Sequence, residues 1–315
     1  MSKKNNYVLF KKTKTCVNHQ IPQVFVLLGE ITNIMLQLSE IWIYPVKSLA
    51  GISLQKAKVT ERGIENDRRW LLVNEEGTFL TQRQFPQLAL FQPSIDDEFL
   101  TITHRKNIIE PLKVSITPPN HQEYVRVKVW DDTIDALEVS TEANEWFSKA
   151  LAMTVRLVYM PEDSRREVDK KYAITGEEIT SFSDAYPFLV IGQSSLDDLN
   201  NRLKERVKMN RFRPNLVFKG GEAYEEDNWY EVQIGKATFW GVKPCSRCIM
   251  TTVDQESGEK TGKDPLYTLS TYRRAGKKVL FGQNLLVTVL DTIQLGDNVN
   301  VISTRKLPQF EIGVS

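Results

Sequence analysis

The sequence predicts a mainly β protein with a few helices, an α+β arrangement of two β-rich domains that each carry one helix. Three observations predict it. Short runs rich in Val, Ile, Thr and aromatic residues recur along the chain with Gly, Asn, Asp or charged turns between them. Only two stretches space their apolar residues as one face of a helix. No βαβ alternation with a Gly-rich phosphate loop occurs, which disfavours a Rossmann or P-loop enzyme.

Taken in order, strands are expected at Leu38–Tyr44, Lys56–Thr60 and Arg69–Asn74, followed by a Glu76-Gly77 hairpin turn into Thr78–Gln82. Tyr124–Trp130 alternates, with Val125, Val127 and Val129 on one face and Arg126 and Lys128 on the other. A helix is expected over Glu142–Leu151, with Thr141 as N-cap and Trp146, Phe147, Ala150 and Leu151 turned inward. The charged, irregular stretch 161–179 reads as a linker or mobile loop and places the seam between the domains, 35–160 and 180–305. Beyond it come a buried strand, Phe188–Ile191, and a capping-box helix start at Ser195-Leu-Asp-Asp198. Leu196, Leu199, Leu203 and Val207 line one face of that helix. Strands then follow at Asn215–Lys219, Trp229–Ile234, Ala237–Val242, Leu285–Leu290 and Asn298–Ile302, before a tail at 306–315.

Lys plus Arg (41) almost balances Asp plus Glu (40), so no global field favours nucleic acid or an anionic membrane. Three cysteines in 315 residues are too few for a disulfide framework, and a reducing, cytoplasmic setting is expected. His19, His104 and His121 are scattered, which gives little support to a histidine metal site or a catalytic triad. Residues 1–34 read either as an unstructured leader or, with Met35 as the native start, as a product of upstream reading. The apolar run Val24–Leu28 is too short to span a membrane and has no small-residue cleavage site after it.

Cys245-Ser-Arg-Cys248 is the spacing that demands a chemical explanation. Zinc would need a second ligand pair, and Cys16 lies in the leader. A thioredoxin-type dithiol would need a helix N-terminus within a βαβ unit, whereas this motif follows a strand. Thiolate ligation of a soft or cofactor-borne metal by one of the two stays open. Lys243 and Arg247 beside them would lower a thiol pKa and attract anions.

The run Val242-Lys-Pro-Cys-Ser-Arg-Cys-Ile-Met-Thr-Thr-Val-Asp254 resembles the signature of the MOSC domain family, in particular its amidoxime-reducing and hydroxylaminopurine-detoxifying molybdoenzymes. Ile43-Tyr-Pro-Val-Lys-Ser-Leu49, Asp67-Arg-Arg-Trp70, Ser183-Asp-Ala-Tyr-Pro-Phe188, Asn210-Arg-Phe-Arg-Pro-Asn215 and Leu280-Phe-Gly-Gln283 resemble further family motifs in the family's order. The resemblance implies two β-barrel-like domains, a MOSC N-terminal barrel and then a MOSC domain like the pyruvate-kinase barrel. It also implies a single-pterin molybdenum cofactor, with Cys248 as the metal ligand and catalytic residue and Cys245 as a neighbour that does not ligate. Lys47, Ser48, Arg68, Arg213, Asn215, Ser246, Arg247 and Asn284 would hold or flank the pterin and its phosphate. Arginine suits that task because its planar fork meets phosphate oxygens in pairs. The chain departs from some relatives at Ala185-Tyr186, where they carry small hydroxyl residues, and at Asn284, where they carry an aromatic.

The activity implied is reduction of N-hydroxylated compounds such as amidoximes, hydroxylamines and N-hydroxylated bases. No cysteine follows Cys248, so no intrinsic iron–sulfur cluster is expected, and electrons would come from a separate ferredoxin-, flavodoxin- or cytochrome-type donor. Neither a nucleic-acid partner nor an integral membrane segment is expected. The rival readings are a cofactor carrier or sulfur-transfer protein without reductase activity, and a non-catalytic binding module for an anionic ligand.

Overall fold

Gln37–Ile43 turns Leu38, Ile41 and Ile43 into the core. In the computed structural model, which describes residues 35–117 and 124–306, this strand pairs antiparallel with Ile52–Leu54 on one side and Leu216–Lys219 on the other. From there the sheet runs through Phe188–Gly192, Lys278–Val289, Ala237–Arg247 and Trp229–Ile234 to Val299–Thr304. The short strand Arg274–Ala275 is added on Lys278–Val289 to make nine. The leader 1–34 with Cys16 and His19, His121, and tail residues 307–315 lie outside the described residues.

One face of this sheet buries Ile41, Phe188, Val190, Leu216, Phe218, Trp229 and Phe239 in a shared core. The Phe218 and Trp229 rings pack 4.5 Å apart. Each such side chain stabilises the fold by roughly 2–3 kcal/mol through burial. Phe188–Gly192 and Leu216–Lys219 run parallel, joined by helix α1 of the second half, Gln193–Arg202. This is one crossover unit in an otherwise antiparallel sheet, and it carries no Gly-rich phosphate loop.

The first half contributes a four-stranded antiparallel sheet in the order Trp70–Val73, Arg156–Tyr159, Asp132–Glu138 and Tyr124–Val129, and a three-stranded sheet of Phe91–Ile95, Phe99–His104 and Leu112–Ser115. Along Tyr124–Val129 the valines face inward while Arg126 and Lys128 stay exposed, as the alternation predicts. Thr78–Gln82 is not a regular strand and makes only single bridges, Val73 to Phe79 and Thr78 to Lys128. The helix Thr141–Leu151 buries Ala143 and Phe147 against Phe91. Its N-cap is Ser140, whose hydroxyl accepts from the Ala143 N–H, rather than the neighbouring Thr141.

The Gln193–Arg202 helix also begins earlier than the capping-box reading expects. Gly192 is its N-cap, and Ser195 lies one turn inside, donating its hydroxyl to the fully buried Glu226 carboxylate. Glu226 also accepts from the Gly192 N–H, so a carboxylate from a distant segment satisfies the helix start. The helix ends at Arg202, so Leu203 and Val207 pack on the core from beyond it.

Within the charged stretch 161–179, Arg166 is buried. It pairs with Asp132 and donates to the carbonyls of Ser181, Ser183 and Asp184. Glu167 and Ile179 form a bridge across the same stretch. The large sheet crosses the seam drawn there, because Gln37–Ile43 belongs to it.

Candidate functional site

The strand expected to end at Val242 runs on to Arg247, through the cysteine motif. Gly241 permits this path, since a Cβ there would lie 2.1 Å from the Trp229 carbonyl oxygen. Register shifts against Lys278–Val289 follow between Gly241 and Lys243 and between Pro244 and Ser246. Such bulges re-aim the side chains that follow them. Cys248 then leads into the single 3-10 turn Ile249–Thr252.

A cavity of about 100 Å³ opens beside this motif. Its lining draws on the segments Lys47-Ser48, Arg68, Phe79–Arg83, Ser183–Tyr186 and Phe212–Asn215, with Leu189, Cys245, Arg247, Met250 and Asn284. Five cationic side chains, Lys47, Arg68, Arg83, Arg213 and Arg247, face a single carboxylate, Asp184. That imbalance suits an anion far better than a cation.

Ser48, Arg68 and Arg213 all hold left-handed backbone, with φ of 71°, 50° and 54°. Non-glycine residues adopt this region at a cost of about 1–3 kcal/mol each, and such strain collects where side chains must be aimed. Arg213 stacks 4.0 Å over Tyr44 and donates to the Leu49 carbonyl at 2.6 Å. Burial lowers its pKa to about 10, against the support of Tyr44. Arg68 lies 4.4 Å from the same ring and donates to Asp67, to Asn215 Oδ1 at 3.0 Å and to the Arg213 carbonyl at 3.3 Å.

Lys47 Nζ donates to Asp184 Oδ1 at 2.7 Å. Burial lowers the lysine to about 8, opposed by that carboxylate. The walls around Asp184 disfavour its charge, but Lys47, Arg83 and Trp130 outweigh them and keep the carboxyl well below the usual range. Arg247 donates Nε to the Phe281 carbonyl and Nη1 to the Phe212 carbonyl, while its buried Nη2 has no partner. An unsatisfied guanidinium nitrogen in a cationic cavity is what a bound phosphate oxygen would complete.

The structure brings Lys47, Ser48, Arg68, Arg213, Asn215, Arg247 and Asn284 to one cavity. Asn215 spends its side chain internally, accepting from Arg68 and the Leu189 N–H and donating to the Trp42 carbonyl. Asn284 donates to the Lys243 carbonyl. Ser246 is exposed and lies outside the lining. Cys248 is not among the lining residues; it is half-buried, with its sulfur accepting from the lining residue Arg83 through Nε at 3.2 Å. Cys245 does line the cavity, and burial raises its thiol pKa more than Arg247 and Lys243 lower it, contrary to the expectation from those neighbouring charges.

Sequence reasoning did not single out Phe79, Thr81, Arg83, Asp184, Phe212 or Met250 as site residues. Asp184 lies within a quoted motif, but Arg83 lies in none and reads as an ordinary loop charge. Among the described residues no three His, Cys, Asp or Glu side chains gather as a metal cluster. His104 is buried with its ring edge-on to Phe91 and accepts from the Lys106 N–H.

Comparison with known proteins gives the family. The family model "MOSC N-terminal beta barrel domain" matches residues 35–154, and "MOSC domain" matches 177–300. The chain is 37% identical over 281 residues to the mitochondrial amidoxime-reducing component 1 of Mus musculus, covering 84% of this chain and 82% of that protein. It is 34% identical to the Homo sapiens protein of the same name, with the same coverage. It is 31% identical to the molybdenum cofactor sulfurase of Arabidopsis thaliana over 84% of this chain but 35% of that protein. With its cationic cavity set among segments of both matched regions, the chain belongs to the MOSC family, a MOSC N-terminal β-barrel domain followed by a MOSC domain.

Proposed function

We propose that the protein is a molybdenum-cofactor-dependent reductase of N-hydroxylated compounds, supplied with electrons by a separate redox protein. The observation that carries the reading is a cavity lined by five cationic side chains, one of which, Arg247, has a buried Nη2 without a partner. A pterin phosphate carries the charge and oxygen count that such a donor set needs. Relatives named as amidoxime-reducing components support the reaction class.

In this reading Lys47, Arg68, Arg213 and Arg247 hold the phosphate and pterin edge, and Ser48 and Asn284 flank them. Asn215 keeps Arg68 in place rather than offering its own atoms. Cys248 supplies the protein thiolate. Ser246, exposed on its strand and outside the lining, takes no side-chain part. The bound cofactor supplies two-electron chemistry at the metal. The net reaction consumes two electrons and two protons, cleaves the N–O bond and releases water with the reduced nitrogen compound. Lys47 Nζ keeps its proton at neutral pH, because its lowered pKa of about 8 still lies above 7.

The sulfurase relative supports a second reading, in which the chain binds or delivers cofactor without reducing substrate. Protein purified from a host that makes the cofactor is expected to contain molybdenum and to reduce benzamidoxime with a reduced artificial donor. Molybdenum without turnover would favour the carrier, and turnover with NADH alone would contradict the separate donor. Protein without molybdenum from such a host would leave only an anion-binding module.

A further inference from the structure

The turn between Tyr124–Val129 and Asp132–Glu138 holds a residue that turn chemistry does not select. Asp132 pairs with Val129, so Trp130 and Asp131 are the two loop residues, and Trp130 sits at φ 58°. Two-residue hairpins place Asn, Asp or Gly at such left-handed positions, and a large aromatic there is strained. Trp130 is also 45% exposed, so core burial does not explain it.

Its contacts all point toward the cavity. The indole Nε1 donates to Asp184 Oδ1 at 3.3 Å, and its ring meets the edge of Phe79 at 5.0 Å. The guanidinium of Arg83 lies 4.3 Å over the same ring. Arg83 in turn donates Nε to Cys248 Sγ at 3.2 Å. The contacts therefore run unbroken from Lys47 through Asp184, Trp130 and Arg83 to the Cys248 sulfur.

We propose that Arg83 is a positioning residue that fixes the Cys248 side chain at the cavity edge, and that Trp130 holds Arg83 for this task. A cysteine side chain has three staggered choices, and one directional donor selects among them. Stacking on Trp130 fixes the plane of the guanidinium and so the direction of that donor. The strained turn gains its purpose from this stack, and Arg83 acts on the cofactor only through the sulfur. The inference rests on the reading of Cys248 as the cofactor thiolate.

The test uses the full chain with and without cofactor. In cofactor-free protein, the rate of Cys248 carbamidomethylation by iodoacetamide, read on its high-pH plateau so that ionisation does not enter the comparison, reports access and orientation. Arg83→Ala and Trp130→Ala are each expected to speed it about tenfold, with Cys245 unchanged within twofold. Trp130→Phe, which keeps a stacking face, is expected to stay near wild type. In cofactor-loaded protein, Arg83→Ala is expected to shift and broaden the sulfur-to-molybdenum absorption at unchanged molybdenum content, with Arg83→Lys restoring part of the shift. Unchanged alkylation and an unchanged spectrum in Arg83→Ala would overturn the proposal. Equal acceleration at both cysteines would do the same, by indicating general loosening. Absence of molybdenum from the wild type would instead defeat the proposed function, and the alkylation rates alone would then decide the role of Arg83.

Discussion

The Arg213 guanidinium carbon lies 4.0 Å from the centre of the Tyr44 ring, while Tyr44 donates its hydroxyl to the Pro214 carbonyl beside it. The ring thus holds both the guanidinium and the backbone that carries it. A lysine keeps the charge but loses the stack and the fork. Arg213→Lys is expected to weaken pyrophosphate binding to cofactor-free protein by about tenfold, or ~1.4 kcal/mol, in calorimetry. Equal affinity would show that charge alone suffices.

Lys47 gives the same binding a pH dependence. Its folded pKa of about 8 lies below the usual lysine value, so its charge is lost as pH rises through 8. With pyrophosphate's own ionisation allowed for, the dissociation constant is expected to be flat below about pH 7 and then to rise, approaching tenfold per unit for one lost proton. Lys47→Met should bind more weakly at pH 7 and lose this dependence between pH 7 and 9. A retained slope would assign it to another group.

Arg166 fastens the charged stretch after Pro161 to the cavity, through the carbonyls of Ser181, Ser183 and Asp184. Arg166→Met leaves those acceptors without their donor. The expected cost is about 3 kcal/mol in urea unfolding. Anion binding should fall too, because Asp184 and its partner Lys47 lose their anchor. A variant as stable as wild type would mean that water replaces the guanidinium.

Much of the fold was legible wherever neighbours in sequence are neighbours in space. The Tyr124–Val129 alternation and the Trp229–Ile234 strand declared themselves, because a one-residue shift would turn their apolar side chains to solvent. What escaped was set from a distance. The Gln193–Arg202 helix starts ahead of the local serine, with Gly192 as N-cap, and Glu226, 31 residues beyond Ser195, accepts from both the Gly192 N–H and the Ser195 hydroxyl. In the site, ordered motifs led to Lys47, Arg68, Arg213 and Arg247. Arg83 and Trp130 stayed hidden because a loop arginine and a turn tryptophan gain meaning only when Cys248 is brought beside them.

Glu226 also carries a prediction about stability. Burial, reinforced by Asp227, raises its pKa to about 7. The folded chain therefore holds a proton that the unfolded chain has released. This group's contribution is complete below about pH 4.5 and is lost as pH rises through about 7. Between pH 5 and 8 the wild-type Tm is expected to fall by several degrees more than that of Glu226→Gln, which keeps an acceptor for Gly192 and Ser195. Parallel curves for the two proteins would sink the assignment.

The strand Gln37–Ile43 has a consequence for synthesis. Ser39 bonds to the carbonyl of Val217, 178 residues later. During translation this early strand has no partner on that edge until the second half has been made. Such distant pairings slow folding, because a long loop must close before any contact rewards it. The cationic cavity, which draws on segments from Lys47 to Asn284, is completed only after the last of these has left the ribosome. An anion that needs all of these segments would therefore find its site only at the end of synthesis, and a chain interrupted between the two matched domains would not offer it.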